Sequence, residues 1–337
     1  MNSESPLVSI LMPVRNEERF LKGALASISS QTFQQWELVA VDDGSVDGTA
    51  GILASFATSD PRVKLFKNRQ RGLVSALNQG FSECRGSFVA RMDGDDVSHP
   101  ERLETQLGIF AANPDVGLVA SSFRHFPREG LRVGMLAYEE WQNTLVNHDR
   151  IMSDLFVESP FVHPGVMVRR EIPAALGGYR DMGWAEDYDL WLRMAHAGVR
   201  FARSEEPLLF WRDRPERATR TMTEYSADAF RRCKIHHLQN GFLQGASEVI
   251  LAGAGKEGRA WQRALAGAGI KVSLWVDVDP KKRGRILHGA EVVGAEDLKA
   301  VSGRMLVTVG TRGARAGIRE WACKAGFSEG TDFICVT

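Results

Sequence analysis

Residues 7–18 read LVSILMPVRNEE: an apolar run, Leu7–Val14, followed by the polar turn Arg15–Glu18. Eight such residues in succession predict a strand buried on both faces, because a strand with one wet face alternates. Beyond Glu17-Glu18, Leu21, Ala24, Leu25 and Ile28 recur at helical spacing and predict an amphipathic helix. The pattern then repeats. Trp36–Val41 reads as a second buried strand running into the turn-rich DDGSVDGT, and Val63–Phe66 and Phe88–Met92 read as further strands, with a helix over Leu73–Cys84 between them. Strands alternating with helices predict an α/β fold with a parallel sheet, in which ligands bind at the carboxyl ends of the strands.

The chain has 337 residues, a length that suggests two domains, with 44% hydrophobic and 25% charged residues, the balance of a soluble globular protein. Lys plus Arg equals Asp plus Glu at 42 each, so no basic field points to nucleic acid. Cys84, Cys233, Cys323 and Cys335 are scattered without a CxxC pair, which suits reduced thiols. The N-terminus lacks the basic start of a signal peptide, and no apolar stretch approaches the roughly 18 residues of a membrane span. The expected location is cytoplasmic, so any membrane would be met from its inner face.

Four polar motifs occupy the strand ends in order: PVRNEE (Pro13–Glu18), VDDGSVDGT (Val41–Thr49), NRQRGLVSALNQG (Asn68–Gly80) and ARMDGDD (Ala90–Asp96). In the last, Asp93 and Asp95 flank a glycine and project two carboxylates the same way, the oxygen set that Mg²⁺ or Mn²⁺ accepts beside phosphate oxygens. An acidic turn after a strand is the plainer reading of DGDD alone. Asp42 and Asp43 stand where a base or ribose could be bound, although turn and cap chemistry accounts for Gly44, Ser45 and Asp47. Arg71 is either a nucleotide contact or a solvated arginine.

In this order the four motifs resemble family 2 glycosyltransferases, whose catalytic domain has the GT-A nucleotide-sugar-binding fold; the resemblance covers roughly residues 5–240. It implies inverting transfer from a nucleotide-diphosphate sugar, with a uridine diphosphate carrier as the leading expectation. By the same resemblance Asp95 is the metal ligand, Asp93 binds metal or ribose, Asp42 binds the base, and Pro13, Val14 and Asn16 wall the base pocket. WAEDYDLWLR (Trp184–Arg193) resembles the family's ED motif at a helix start, making Asp187 the expected base and Glu186 the next candidate; first-turn acids are the plainer reading. FVHPGVMVRR (Phe161–Arg170) resembles the acceptor-side strand, with His163 toward metal or diphosphate. Arg212, Arg214, Arg217 and Arg220 lie within ten residues, either a solvated loop or a lid that clamps the diphosphate.

Gly241 and Gly245 suggest a joint, dividing the chain into 1–244 and 245–337. The second part starts with a strand, then Gly253-x-Gly255-x-x-Gly258 and a helix; the next strand ends at Asp277, the spacing of a Rossmann-like nucleotide site. Val276–Gly294 resembles the small nucleotide-sugar-binding domain of bacterial sugar acyltransferases. A sugar nucleotide is the expected ligand, NAD the runner-up, and an empty docking module the plainer reading.

The expected role is therefore surface polysaccharide assembly, on a saccharide or lipid-linked saccharide acceptor, with peripheral membrane association and homo-oligomerisation both compatible. Two alternatives stand. A sugar-phosphate nucleotidyltransferase needs a glycine- and lysine/arginine-rich loop after the first strand, where this chain is acidic. A non-catalytic sugar-nucleotide-binding protein would not need Asp42, Asp93, Asp95 and Asp187 together.

Overall fold

The computed structural model describes residues 6–300, 302–311 and 313–337. The opening apolar run forms β1 (Val8–Val14), and β2 (Trp36–Asp42) lies beside it; every residue of both strands is buried. β3 (Val63–Lys67), β4 (Phe88–Arg91), β5 (Val97–Ser98), β6 (Val116–Phe126), β7 (Val166–Arg169) and β8 (Arg200–Arg212) complete a sheet of order β3-β2-β1-β4-β7-β6-β8-β5. β1–β4 are parallel, as the strand–helix alternation requires, whereas β7 runs antiparallel to both β4 and β6. Helix Leu21–Ser29 buries Leu21, Ala24, Leu25 and Ile28, the stripe predicted for it. Helix Leu73–Glu83 approaches the sheet closely at Gly80, where an added Cβ would stand 2.4 Å from Leu11 Cδ1 and 2.8 Å from Val41 Cγ2. A side chain there would overpack the core.

The stretch between Phe123 and Phe161, irregular in sequence, contains the end of β6 and helices Val133–Asn143 and His148–Asp154. Of the expected acceptor-side strand at Phe161–Arg170, only β7 is extended; His163–Gly165 before it is a short 3₁₀ turn, which the fixed φ of Pro164 suits. Helix Glu186–His196 forms where expected.

The chain divides into two compact units. The first runs to Ile151 and adds Pro160–Met182 and Glu186–Thr221; the second comprises Met152–Ser159, Gly183–Ala185 and Met222–Thr337. Helix Ala227–Gln239 thus groups with the second unit, whose sheet contains β9 (Glu248–Ala252), β10 (Lys271–Val276), β11 (Ile286–Leu287), β12 (Ala290–Val293), β13 (Met305–Val307) and β14 (Phe333–Cys335). Its order is β11-β12-β10-β9-β13-β14, and the five strands other than β11 are parallel. Leaving aside short β11, the order is third-second-first-fourth-fifth, the Rossmann-like arrangement. Within this unit the buried Lys234 donates to Val157 O at 2.8 Å and Val336 O at 3.1 Å, tying the inserted segment to the C-terminal strand region. Among the described residues no helix is long and apolar enough to cross a membrane.

Candidate active site

The carboxyl ends of β1 and β2 are joined first by the backbone: Asp43 N donates to Val14 O at 2.9 Å. Pro13 and Val14 are buried in β1. Asn16 takes the left-handed conformation (φ 55°), where asparagine is tolerated, and its Oδ1 accepts from Val46 N at 2.9 Å. Asp42 is buried and uses Oδ1 to accept from Ser45 N (3.0 Å) and Ser45 Oγ (2.6 Å). Asp43 Oδ1 accepts from Asn68 Nδ2 (2.6 Å) and Gly72 N (2.9 Å), which holds the loop after β3 against that after β2. Arg71 is exposed and reaches Gly44 O at 3.2 Å. The expected nucleoside residues therefore converge on one loop cluster.

The end of β4 carries the densest charge. Carboxylate oxygens of Asp93, Asp95 and Asp96 lie within 4.8 Å of one another. Asp95 and Asp96 are buried, and Gly94 between them and Asp93 packs against β1: a Cβ there would stand 2.8 Å from Val14 Cγ1. A fourth acid, Glu17, joins them. Arg214 bridges the two sides, with Nε 2.8 Å from Asp95 Oδ2 and Nη2 on Glu17 Oε1. Arg212 donates through its backbone N to Asp96 Oδ1 (2.8 Å) and through Nε to Asp95 O (2.6 Å), while Arg217 stacks on Trp211 at 3.6 Å. Arg220 does not share this task; it pairs with Asp213 at 2.5 Å.

Burial, then the charge of Asp95, pushes Glu17 up to about 7; burial and Asp93 raise Asp95; burial and Asp95 carry Asp96 well above the ordinary carboxylate range. Asp96 Oδ2 and Glu17 Oε2 are buried without a hydrogen-bond partner. Clustered hard oxygens, mutual repulsion and buried oxygens without donors together fit a divalent cation of the Mg²⁺ or Mn²⁺ type. The sequence identified Asp93 and Asp95 but not Asp96, Glu17 or Arg91. Asp96 had a local signal in the DGDD run, whereas Glu17 read only as a helix-start acid.

Helix Glu186–His196 begins with three acids, and the structure separates them. Asp189 pairs with Arg193 at 2.8 Å, and Arg193 donates onward to Leu176 O and Gly178 O, so this acid anchors the preceding loop. Glu186 is buried beside His163, whose Nδ1 lies 3.5 Å from Glu186 Oε1 and whose Nε2 is 2.9 Å from the Tyr179 hydroxyl. Both ring nitrogens thus face protein groups, and burial followed by Arg91 lowers the His163 pKa, favouring a neutral ring. Asp187 is partly buried, with Oδ1 accepting from Tyr188 N at 2.6 Å; burial, then Glu186, pushes it up to about 8. A carboxylate so poised can take a proton near neutral pH. Arg91, buried at the end of β4, pairs with Asp93 and acts electrostatically on Glu186 and Asp187, which links the two groups of acids.

In the second unit, Gly253 has φ +108° and Gly258 packs so tightly that a Cβ would stand 1.9 Å from Gly253 O; a Cβ on Gly255 would meet nothing within 4 Å. Asp277 Oδ2 accepts from Ala254 N and Lys282 Nζ, both at 2.8 Å.

Comparison with known proteins bears on the family and the fold. The family model "Glycosyl transferase family 2" matches residues 9–176. EpsE of Bacillus subtilis (strain 168), named as a glycosyltransferase, is 34% identical over 68% of this chain and 80% of its own length. The O-antigen biosynthesis glycosyltransferase WbnJ of Escherichia coli is 30% identical over 69% and 88%. Among solved structures, TarS of S. aureus in complex with UDP-GlcNAc matches with a TM-score of 0.53 at 17% identity, over 69% of this chain and 66% of that one. The mannosyltransferase PcManGT of Pyrobaculum calidifontis, in complex with GDP-Man and Mn²⁺, matches at 0.51 and 22% identity, over 70% and 62%. The structural likenesses show the GT-A-type fold, and the sequence relatives show the activity class: this chain is a glycosyltransferase and belongs to glycosyl transferase family 2.

Proposed function

We propose that the first unit transfers a sugar, with inversion, from a nucleoside diphosphate donor to a hydroxyl of a saccharide or lipid-linked saccharide during surface polysaccharide assembly. The observation that carries this reading is the pairing, through Arg91, of the Asp93–Asp95–Asp96 cluster with the Glu186–Asp187 pair. WbnJ and the amylovoran biosynthesis glycosyltransferase AmsE of Erwinia amylovora, 30% identical over 60% of this chain and 75% of its own, are named for O-antigen and amylovoran.

In this mechanism Asp42 and Asp43 receive the nucleoside from the loops that their own hydrogen bonds hold in place. Asp93, Asp95 and Asp96 would hold a divalent cation, which would supply charge stabilisation to a departing nucleoside diphosphate. Asp187 takes the acceptor hydroxyl's proton as its oxygen bonds to the anomeric carbon and the bond to the diphosphate oxygen breaks. Glu186, braced by His163, keeps that helix start in place. Arg212 and Arg217 remain beside the acids to meet phosphate oxygens. For the second unit, the strand order and the glycine loop support recognition of a sugar nucleotide, and NAD is the competing ligand.

The test is a donor screen over uridine, guanosine and thymidine diphosphate sugars with Mn²⁺. One donor should be hydrolysed or transferred by the native chain and not by Asp95→Asn. Equal turnover by the variant, or full turnover in a chelator, would reject the reading.

A further inference from the structure

Tyr179 lies outside the sequence motifs, yet the structure attaches it on three sides. One amide matches its main chain: Asn78 Nδ2 donates to Tyr179 O, and Tyr179 N donates to Asn78 Oδ1, each at 2.9 Å. Asn78 sits on helix Leu73–Glu83, and Gly72 just before that helix donates to Asp43 Oδ1 at 2.9 Å, so the clamp begins at the donor loops. Gly178 has φ +68°, and a Cβ there would stand 2.6 Å from Asn78 Oδ1; the close approach of this loop requires glycine. From the opposite side Arg193 donates to Leu176 O at 2.8 Å and Gly178 O at 2.7 Å while it pairs with Asp189. Residues 176–180 are therefore fixed between the donor-side helix and helix Glu186–His196.

The Tyr179 side chain turns inward to His163, with its hydroxyl 2.9 Å from Nε2 and the two rings 5.3 Å apart. Nδ1 of the same ring faces Glu186 Oε1 at 3.5 Å, and all three side chains are buried. A buried polar row has to be matched donor to acceptor along its length. With Glu186 as the carboxylate, which only accepts, Nδ1 carries the ring proton; Nε2 then offers a lone pair, and the phenol donates to it. Burial raises the phenol's pKa and lowers that of the imidazole, so the phenol keeps its proton and the ring stays neutral. We propose that Tyr179 is a positioning residue for the transfer: its hydroxyl selects the His163 tautomer whose Nδ1–H holds Glu186, and its main chain carries that hold to Asn78, setting the start of helix Glu186–His196 in register with the donor loops. This rests on the reading of Asp187 as the base, because the register matters to turnover only if that helix start does chemistry.

The experiment follows Tyr179→Phe in the full chain, by kinetics with donor and Mn²⁺ and by nitrogen NMR of ring-labelled histidine, with His163→Asn identifying the His163 signals. The native ring should be protonated on Nδ1, and in Tyr179→Phe the two tautomers should mix. Small misplacements of a reacting group are costly, so kcat should fall about tenfold while the donor KM stays within about twofold. Asparagine at position 163 keeps an N–H near the place of Nδ1 and needs no donor at Nε2. Adding Tyr179→Phe to His163→Asn should therefore cost less than about twofold more, a non-additivity that lost packing would not produce. A native ring protonated on Nε2 overturns the inference, and that measurement decides the question even where Tyr179→Phe fails to fold. An unchanged kcat or tautomer in folded Tyr179→Phe overturns it too, as do equal losses in the native and His163→Asn backgrounds. Failure of the base assignment is separately visible: Asp187→Asn would then keep its turnover with the ring tautomer as in the native chain.

Discussion

Arg214 Nε stands 2.8 Å from Asp95 Oδ2 while its Nη2 pairs with Glu17, so one side chain neutralises both walls of the acidic cluster. A divalent cation at Asp95 must compete with that guanidinium for the same oxygens. Removing it in Arg214→Ala should tighten Mn²⁺ binding in the absence of nucleotide by about 3–10-fold, on the order of 1 kcal/mol. The donor KM should rise in the same variant, because an arginine freed by the cation is available to the diphosphate. Calorimetry and donor kinetics give the two numbers. Weaker Mn²⁺ binding in Arg214→Ala would mean that the arginine shapes the site and does not compete for it.

Three carboxylates held so close are set for binding at the expense of stability. Asp96→Asn should therefore raise the thermal midpoint of the metal-free protein, since it removes a buried acid already driven far from its ordinary range by burial and Asp95. In the same variant the stabilisation that Mn²⁺ gives the native protein should shrink or vanish. Turnover should fall about 10²–10³-fold, the usual cost of losing one group that stabilises developing charge. Differential scanning calorimetry with and without Mn²⁺ checks the first two, and a variant that is both less stable and fully Mn²⁺-responsive would contradict the placement.

Asp187 allows the sign of a pH effect to be worked out. Its ordinary value is 3.8 and its folded value about 8, so between these the folded chain keeps a proton that the unfolded chain releases. Its contribution to stability is full below about pH 4 and is lost as pH rises toward 8. Asp187→Asn cannot ionise and escapes that loss. The variant should match the native chain at about pH 4 and below, and melt at least about 3 °C higher at pH 8. Its turnover should drop about 10²–10⁴-fold with nucleotide binding retained. Identical midpoints at pH 8 would remove the case for a strongly perturbed acid.

Legibility in the sequence followed burial. β1, β2, β9 and β10 were readable because strands covered on both faces show as apolar runs, and helix Leu21–Ser29 because its buried stripe keeps helical spacing. Helix Val133–Asn143 was not, since it buries Glu139 and Gln142 and exposes Val133 and Leu136, the reverse of an amphipathic pattern. Glu139 is satisfied by His125 and Arg128, and no local rule anticipates partners from the preceding strand and loop. At the site, Asp93 and Asp95 announce themselves as a spaced pair. Glu17 does not, because its partner Arg214 is 197 positions away. Arg91 is hidden for a different reason: a charged residue at the end of an apolar strand ordinarily marks the exit to solvent, and here it is buried against Asp93.

The glycine loop of the second unit separates a structural glycine from one left open for a ligand. A Cβ at position 258 would stand 1.9 Å from Gly253 O, a backbone atom that cannot turn aside, and 3.0 Å from the Trp275 ring. Gly258→Ala must push helix Lys256–Gly267 off β9 and β10, and should cost about 3 kcal/mol or leave this unit unfolded. Gly255 has extended backbone and open space where its Cβ would lie. Gly255→Ala should therefore leave the midpoint within about 1 °C of the native value. If the loop holds a nucleotide's phosphates, as the strand order and the spacing to Asp277 suggest, that same methyl group occupies the space they need. A sugar nucleotide or NAD that raises the melting temperature of the native second unit should then fail to raise that of Gly255→Ala, while Mn²⁺ and donor still stabilise the first. An equal shift in both proteins would move the ligand away from this loop, whereas equal damage from both alanines would mean that the glycines serve packing alone.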